Sequence, residues 1–181
     1  MKTTTGQPLA VIREPYFSRT YAHYNGHANT PYQLVDSAFP AVVRNGNVVF
    51  FAHPLDRLYY DNGVRLHREL FKSAIDMLGA APVLTVMGLP SSGRVSLLRQ
   101  KTRNRYVAHL LYSPALQRGD CKVIEDFPPI SGVTLEIRVP ERANEVRMIP
   151  DGGTLEFTRE NGVVKLVVPT FFMHAGVVLE Y

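Results

Sequence analysis

Two histidines four residues apart, His23 and His27, raise the question of chemistry in this chain. They stand in RTYAHYNGHANTPYQ (19–33), a stretch that also holds Arg19, Tyr21, Tyr24, Tyr32, Asn29 and Gln33. Imidazoles at i and i+4 share one face of a helix and begin the zinc-protease motif, in which a glutamate follows the first histidine directly. Here that position is Tyr24, and Gly26 weakens the helix that would hold the pair. His53, at the end of a strand-like run, is the third imidazole that could complete a small His-dependent metal hydrolase. The competing reading keeps all three as histidines that hydrogen-bond backbone carbonyls. It is the one adopted: no metal and no cofactor is expected.

Other catalytic constellations find less support. Glycoside cleavage needs two carboxyl groups facing each other about 5–9 Å apart. Glu125 and Asp126 are adjacent and would point oppositely in an extended segment; Glu14, Asp36 and Asp56 read as turn formers or ion-pair partners. Ser91-Ser92-Gly93 lies in a turn with no G-x-S-x-G elbow, and Cys121 lies in the polar run QRGDCKVIED with no histidine nearby. Neither a P-loop nor a G-x-G-x-x-G motif occurs. His109 and His174 fall in β-type segments, where a histidine is ordinarily a satisfied polar group on a sheet. No catalytic residue is therefore assigned.

The 19–33 stretch suits binding better than catalysis. Tyrosine rings stack on sugar faces, while amides and imidazoles give directional hydrogen bonds, a mixture found in pockets for small polar ligands. Arg19, Tyr21, His23, Tyr24, His27, Asn29 and His53 are the candidates for a ligand pocket or an interface, with a carbohydrate as the ligand class. The plainer alternative is an ordered loop whose tyrosines fill the junction between two structural units.

The elements that must position these residues change character along the chain. PLAVIREPYF is a short strand stopped by Pro15. AVVRNGNVVFFAHP places Asn45-Gly46 between β-branched runs, a hairpin signal because both turn residues accept positive φ. One main helix is expected over about 64–78, where Leu66, Leu70, Ala74 and Leu78 recur at four-residue spacing and Phe71 and Ile75 widen the stripe. Asp61 or Asn62 is its expected cap, and Gly79 its left-handed terminator. Beyond Pro82 only short alternating runs occur. RVSLLRQ pairs with RYVAHLLY across KTRN. VTLEIRVP sets Val133, Leu135, Ile137 and Val139 on one face, and turns fall at Asp151-Gly152-Gly153 and Asn161-Gly162. The expected class is α+β: a partial α/β unit over 1–82, then an antiparallel β-sandwich over 83–181. Two or three strands and one helix bury too little apolar surface to stand alone, so the first unit should pack on the second and derive from a larger α/β domain.

Composition narrows the partners. The chain has 181 residues, 45% of them hydrophobic and 20% charged, with a net charge of +4 and a pI near 9.3. Its densest basic group, Arg94, Arg99, Lys101, Arg103 and Arg105, fits a solvated sheet edge, where charge discourages aggregation. No nucleic-acid partner is expected, since no recognition motif accompanies the charge. The single cysteine forms no internal disulfide. The N-terminus lacks a signal-peptide pattern, and no apolar run approaches the ~20 residues of a bilayer span. A cytoplasmic protein without a membrane partner is the expectation.

Longer matches carry a resemblance. REPYFSRTYAHYNGHANTPY, PAVVRNGNVVFFAHPLDRLYYDNGVRLHRELFKSAIDML, VSLLRQKTRNRYVAHLLYSP and the closing GVVLEY resemble, from about Leu9 to Tyr181, the C-terminal region of glycoside hydrolases related to β-galactosidases and α-fucosidase-like proteins. The resemblance implies the end of an α/β domain similar to class I glutamine amidotransferases (flavodoxin-like, the trimerisation domain), followed by a C-terminal β domain. The (β/α)₈ barrel that carries the family's catalytic carboxylates, and the first half of the amidotransferase-like domain, have no counterpart here. What the resemblance implies is therefore a non-catalytic accessory module, expected to form a homo-oligomer, with Tyr21, His23, His27 and Asn29 as candidates for lining a ligand pocket or an interface. A stand-alone carbohydrate-binding module is the alternative.

Overall fold

The computed structural model describes residues 5–17, 22, 30–79, 81–150 and 152–181. The chain divides into two compact units, Met1–Ala81 and Pro82–Tyr181.

The first unit holds three strands and two helices among its described residues. Strands β1 (Gln7–Val11), β2 (Pro40–Asn45) and β3 (Val48–Phe51) form one antiparallel sheet in the order β1-β2-β3. The β1–β2 register shifts on either side of Ala10. The β2–β3 hairpin forms where expected, but one residue later. Asn45 ends β2 and pairs with Val48, so the two turn residues are Gly46 and Asn47. Only Gly46 takes positive φ, at 57°. A glycine at the first central position is what a type II′ turn requires.

The single helix expected over 64–78 is two. Helix α1 (Leu55–Asn62) follows Pro54, carries Asp56 in its first turn, and is braced by an Arg57–Asp61 contact of 3.4 Å. It stops at Gly63, whose φ of 65° is left-handed and whose N–H donates to the Tyr59 carbonyl. Asp61 and Asn62 therefore close α1 rather than cap the next helix, the Asn62 amide donating to the Leu58 carbonyl. Helix α2 (Arg65–Met77) starts after Val64 with no side-chain cap, and Gly79 beyond it has φ of 75°. Phe71 of α2 meets Phe51 of β3 at a ring separation of 6.2 Å. Of the described residues in this unit only Ala74 is buried, and Leu66, Leu70, Phe71 and Ile75 of the α2 stripe are exposed.

The second unit is antiparallel throughout. Its strands are β4 (Leu84–Met87), β5 (Arg94–Gln100), β6 (Arg105–Leu111), β7 (Leu116–Arg118), β8 (Cys121–Val123), β9 (Val133–Arg138), β10 (Glu145–Ile149), β11 (Phe157–Glu160), β12 (Val163–Val168) and β13 (His174–Glu180). They make two four-stranded sheets, β10-β13-β6-β5 and β11-β12-β9-β4, and a small hairpin, β7-β8. Alternation builds the core, strictly in β9 and β12, while in β6 and β13 Val107 and Val178, outside the core cluster, are buried as well. Val133, Leu135 and Ile137 of β9 and Val164, Leu166 and Val168 of β12 point inward from one sheet; Tyr106, Ala108 and Leu110 of β6 and Val177 and Leu179 of β13 do so from the other. All belong to one contiguous apolar cluster, which makes the unit a β-sandwich. Each such aliphatic side chain contributes about 1.5–3 kcal/mol on burial.

Turn chemistry matches these strands. Asn161 and Gly162 both take positive φ, 49° and 76°, in the β11–β12 hairpin. The β5–β6 connection is a short 3₁₀ turn, Lys101–Arg103, ended by Asn104 with φ of 48°. Cys121, expected in a loop, is instead a strand residue paired with Arg118 across the β7–β8 hairpin. Among the described residues no helix is long and apolar enough to cross a membrane.

Candidate functional site

Arg19, Tyr21, His23, Tyr24, His27 and Asn29 lie outside the described residues. The flanks of their segment are described, and they form a closed base. Pro15 and Tyr32 make an antiparallel bridge. The Tyr16 N–H donates to the Pro31 carbonyl at 2.9 Å, and the Gln33 N–H donates to the Glu14 carbonyl at 2.9 Å. The Gln33 amide donates to the Pro15 carbonyl at 3.1 Å. Farther along the two arms, the Ser37 hydroxyl donates to Glu14 Oε1 at 2.7 Å and the Arg13 guanidinium pairs with Asp36 at 3.0 Å. Glu14 and Asp36 thus fasten the two arms together, as turn and ion-pair residues. The Tyr16 and Tyr32 rings, at the top of this base, are exposed. His53 follows β3, is exposed, and immediately precedes Pro54 and α1.

Two further carboxylates singled out in the sequence have structural places. Glu125 pairs with Arg118 at 2.7 Å. Asp56 lies in the first turn of α1, where its charge complements the helix dipole. Among the described residues no three His, Cys, Asp or Glu side chains gather in a way that could hold a metal ion. Ser91 and Ser92 form the turn between β4 and β5, closed by the Gly93 N–H donating to the Pro90 carbonyl at 2.8 Å.

Sequence reasoning missed two side-chain clusters on the β unit. In the first, the Arg99 guanidinium lies over two rings, 5.5 Å from the centroid of Tyr106 and 5.6 Å from that of Tyr181. It donates to the Tyr181 hydroxyl at 3.2 Å and to the Glu141 carboxylate, and the Tyr106 hydroxyl donates to the other Glu141 oxygen at 2.9 Å. Burial works to raise the Glu141 carboxyl, but its own backbone N–H, Tyr106 and Arg99 outweigh that and hold it below the usual carboxylate range. Tyr106 moves up, first from burial and then from its bond to Glu141. A general acid needs a raised carboxyl, and Glu141 is shifted the other way. The cluster ties together β5, β6, the segment before β10 and the residue after β13; its chemistry is structural.

The second cluster is a histidine pair. Nδ1 of His109 on β6 and Nε2 of His174 on β13 are 3.0 Å apart, with the ring planes 17° apart, 5.3 Å between centroids and the ring edges facing each other. One ring donates to the other. The outer face of the β11-β12-β9-β4 sheet carries an open groove of about 610 Å³ lined by Thr134, Thr158, Lys165, Val167 and Phe157 among others. Lys165 there is paired with Glu136 at 2.9 Å.

No family model matches the chain, and the comparison with curated proteins finds no match. Among solved structures the chain is similar to the alpha-L-fucosidase isoenzyme 2 from Paenibacillus thiaminolyticus, with a TM-score of 0.88 and 28% sequence identity. The likeness covers 97% of this chain and 27% of that enzyme, so the chain spans about a quarter of its length. The similarity runs through both units and relates the chain to a glycoside hydrolase.

Proposed function

We propose that this chain is a non-catalytic accessory and assembly module of a glycoside-hydrolase-like protein of carbohydrate metabolism. One observation carries the reading: nearly all of the chain superposes on a limited portion of a fucosidase, at 97% coverage against 27%. On this reading Met1–Ala81 corresponds to the end of an amidotransferase-like, flavodoxin-like α/β domain with a trimerisation role, and Pro82–Tyr181 to a C-terminal β domain. The cores fit this division. The buried side chains among the described residues are aliphatic or aromatic, with the Tyr106 hydroxyl turned to Glu141, so the interior serves packing.

The first unit supports the assembly role. Leu66, Leu70, Phe71 and Ile75 form one stripe of α2 and all are exposed. Exposed apolar stripes of this kind mark protein–protein contact surfaces, and a homo-oligomer is the partner proposed. Size-exclusion chromatography with light scattering tests it. The expected result is a defined oligomer that dissociates in Leu70→Asp, with no glycoside turnover by the chain alone. A monomer at micromolar concentration, or hydrolysis of a fucoside or galactoside, overturns it.

A second reading, a carbohydrate-binding module, is favoured by the exposed rings of Tyr16 and Tyr32 at the closed base of the 19–33 segment. Aromatic faces displayed beside hydrogen-bonding groups suit sugar rings. Glycan-array binding that is lost in Tyr24→Ala or His27→Ala would support it, and no binding to any glycan would remove it.

A further inference from the structure

We infer that His109 and His174 form a divalent transition-metal site that bridges strands β6 and β13. The two ring nitrogens that face each other are 3.0 Å apart. A tetrahedral zinc ion with Zn–N bonds of about 2.0–2.1 Å holds two nitrogen ligands roughly 3.3–3.4 Å apart. The nitrogens are within a few tenths of an ångström of that spacing, but their ring edges point straight at each other, so each ring must also turn by roughly 35° for both lone pairs to converge on one tetrahedral ion. As a hydrogen-bonded pair one ring donates its N–H to the other; to bind an ion the donor ring would carry its proton on its far nitrogen instead, so that both imidazoles ligate in the neutral form.

The backbone holds the pair in position. His109 stands directly opposite Gly176, and His174 opposite Leu111, so the two histidines are diagonal neighbours on one sheet face. Gly176 lets Ile149 pack close beside the pair: a Cβ there would come within 2.4 Å of Cγ1 of Ile149, while Nδ1 of His109, at 3.8 Å, would be in ordinary contact. His174 is set by Met173, a non-glycine residue with φ of 56°, and by its own N–H, which donates to the Phe172 carbonyl at 2.5 Å. A left-handed conformation at an unbranched residue carries strain that the surrounding structure must sustain.

The His174 side is open to solvent and His109 is half-buried, which gives an ion an entry route. Ser96 on β5 is the other residue opposite His109. No third His, Cys, Asp or Glu among the described residues joins the pair, so water completes the coordination. Two imidazoles and water suit copper, nickel and zinc, with Cu²⁺ bound most tightly, and do not suit Mg²⁺ or Ca²⁺. Because the ligands come from neighbouring strands, the ion would favour the folded sheet over the unfolded chain.

The test is calorimetric titration of the full chain, stripped of metal, with Cu²⁺ and with Zn²⁺ in a non-coordinating buffer. Thermal unfolding is followed with and without Zn²⁺. One site is expected, lost in both His109→Gln and His174→Gln and retained in a triple variant, His23→Gln, His27→Gln, His53→Gln. Added Zn²⁺ should raise the unfolding midpoint of the parent chain and leave the midpoint of His174→Gln, a solvent-facing substitution, unmoved. No binding by the parent chain, binding unchanged in both single variants, or binding lost in the triple variant would each overturn the assignment.

Discussion

The two units of this molecule solve the burial problem differently. In Pro82–Tyr181, two facing four-stranded sheets deliver a contiguous cluster in which Leu110, Val133, Leu135, Ile137 and Val164 are fully buried. In Met1–Ala81 a sheet and two helices leave one described residue buried, Ala74. The contrast follows from geometry: two facing sheets enclose side chains on both sides, whereas one small sheet with a helix on it leaves much of its apolar surface open. The β unit has the means to hold its own structure; the first unit has apolar surface still to be covered.

The most severe way to break this comparison is to cut the chain. Residues 82–181 expressed alone should give a cooperative denaturation curve, and residues 1–81 alone should give none. A sharp transition in the latter would erase the distinction. Next, a buried deletion should outweigh an exposed one. Leu135→Ala should cost about 2–5 kcal/mol in urea unfolding. Leu66→Ala, 64% exposed on α2, should cost less than about 0.5 kcal/mol in the dissociated chain.

Close approach of backbones inside the β unit gives a subtler check. Gly88 has φ of 84°, and a Cβ added there would come within 2.6 Å of the Gly132 carbonyl oxygen. Gly88→Ala should therefore destabilise by about 1–3 kcal/mol, read as a lowered thermal midpoint. An unchanged midpoint would mean that the two loops can part freely.

The smallest expected effect concerns acid. Glu141 is held below its ordinary value in the folded chain. Its contribution is present above the unfolded carboxylate value, about 4.3, and is lost as pH falls through the folded value. Urea midpoints measured downward from about pH 5 should fall less steeply in Glu141→Gln than in the parent chain. Parallel curves would show that the Arg99–Tyr106–Glu141 group does not couple to folding.

How much could be read from the residues alone depended on the range of the interactions. VTLEIRVP was legible because a period of two is local and the sheet enforces it. The β5–β6 hairpin was legible for the same reason. The Asn-Gly-Asn run 45–47 held two candidate turns, and only the pairing of Asn45 with Val48 selects the second. Asp61-Asn62-Gly63 reads equally as the start of one helix or the end of another; α1 decides it by using Gly63 as its terminator. The histidine pair and the completion of the Arg99–Tyr106 pair by Glu141 and Tyr181 were beyond reach, because those partners lie tens of residues apart and meet only in the folded sheets. The candidate site was legible only as residue types in the 19–33 segment; the bridge of Pro15 to Tyr32 that closes its base appears only in three dimensions.

The place of β13 carries a consequence for how the β unit is made. It is the last strand in order yet sits between β10 and β6, and it pairs with a strand some seventy residues earlier. During synthesis β6 leaves the ribosome with one of its two edges unsatisfied and waits for most of the unit to follow. That sheet cannot zip up progressively, so its assembly should be slow for its size, with an exposed strand edge as the hazard of the delay.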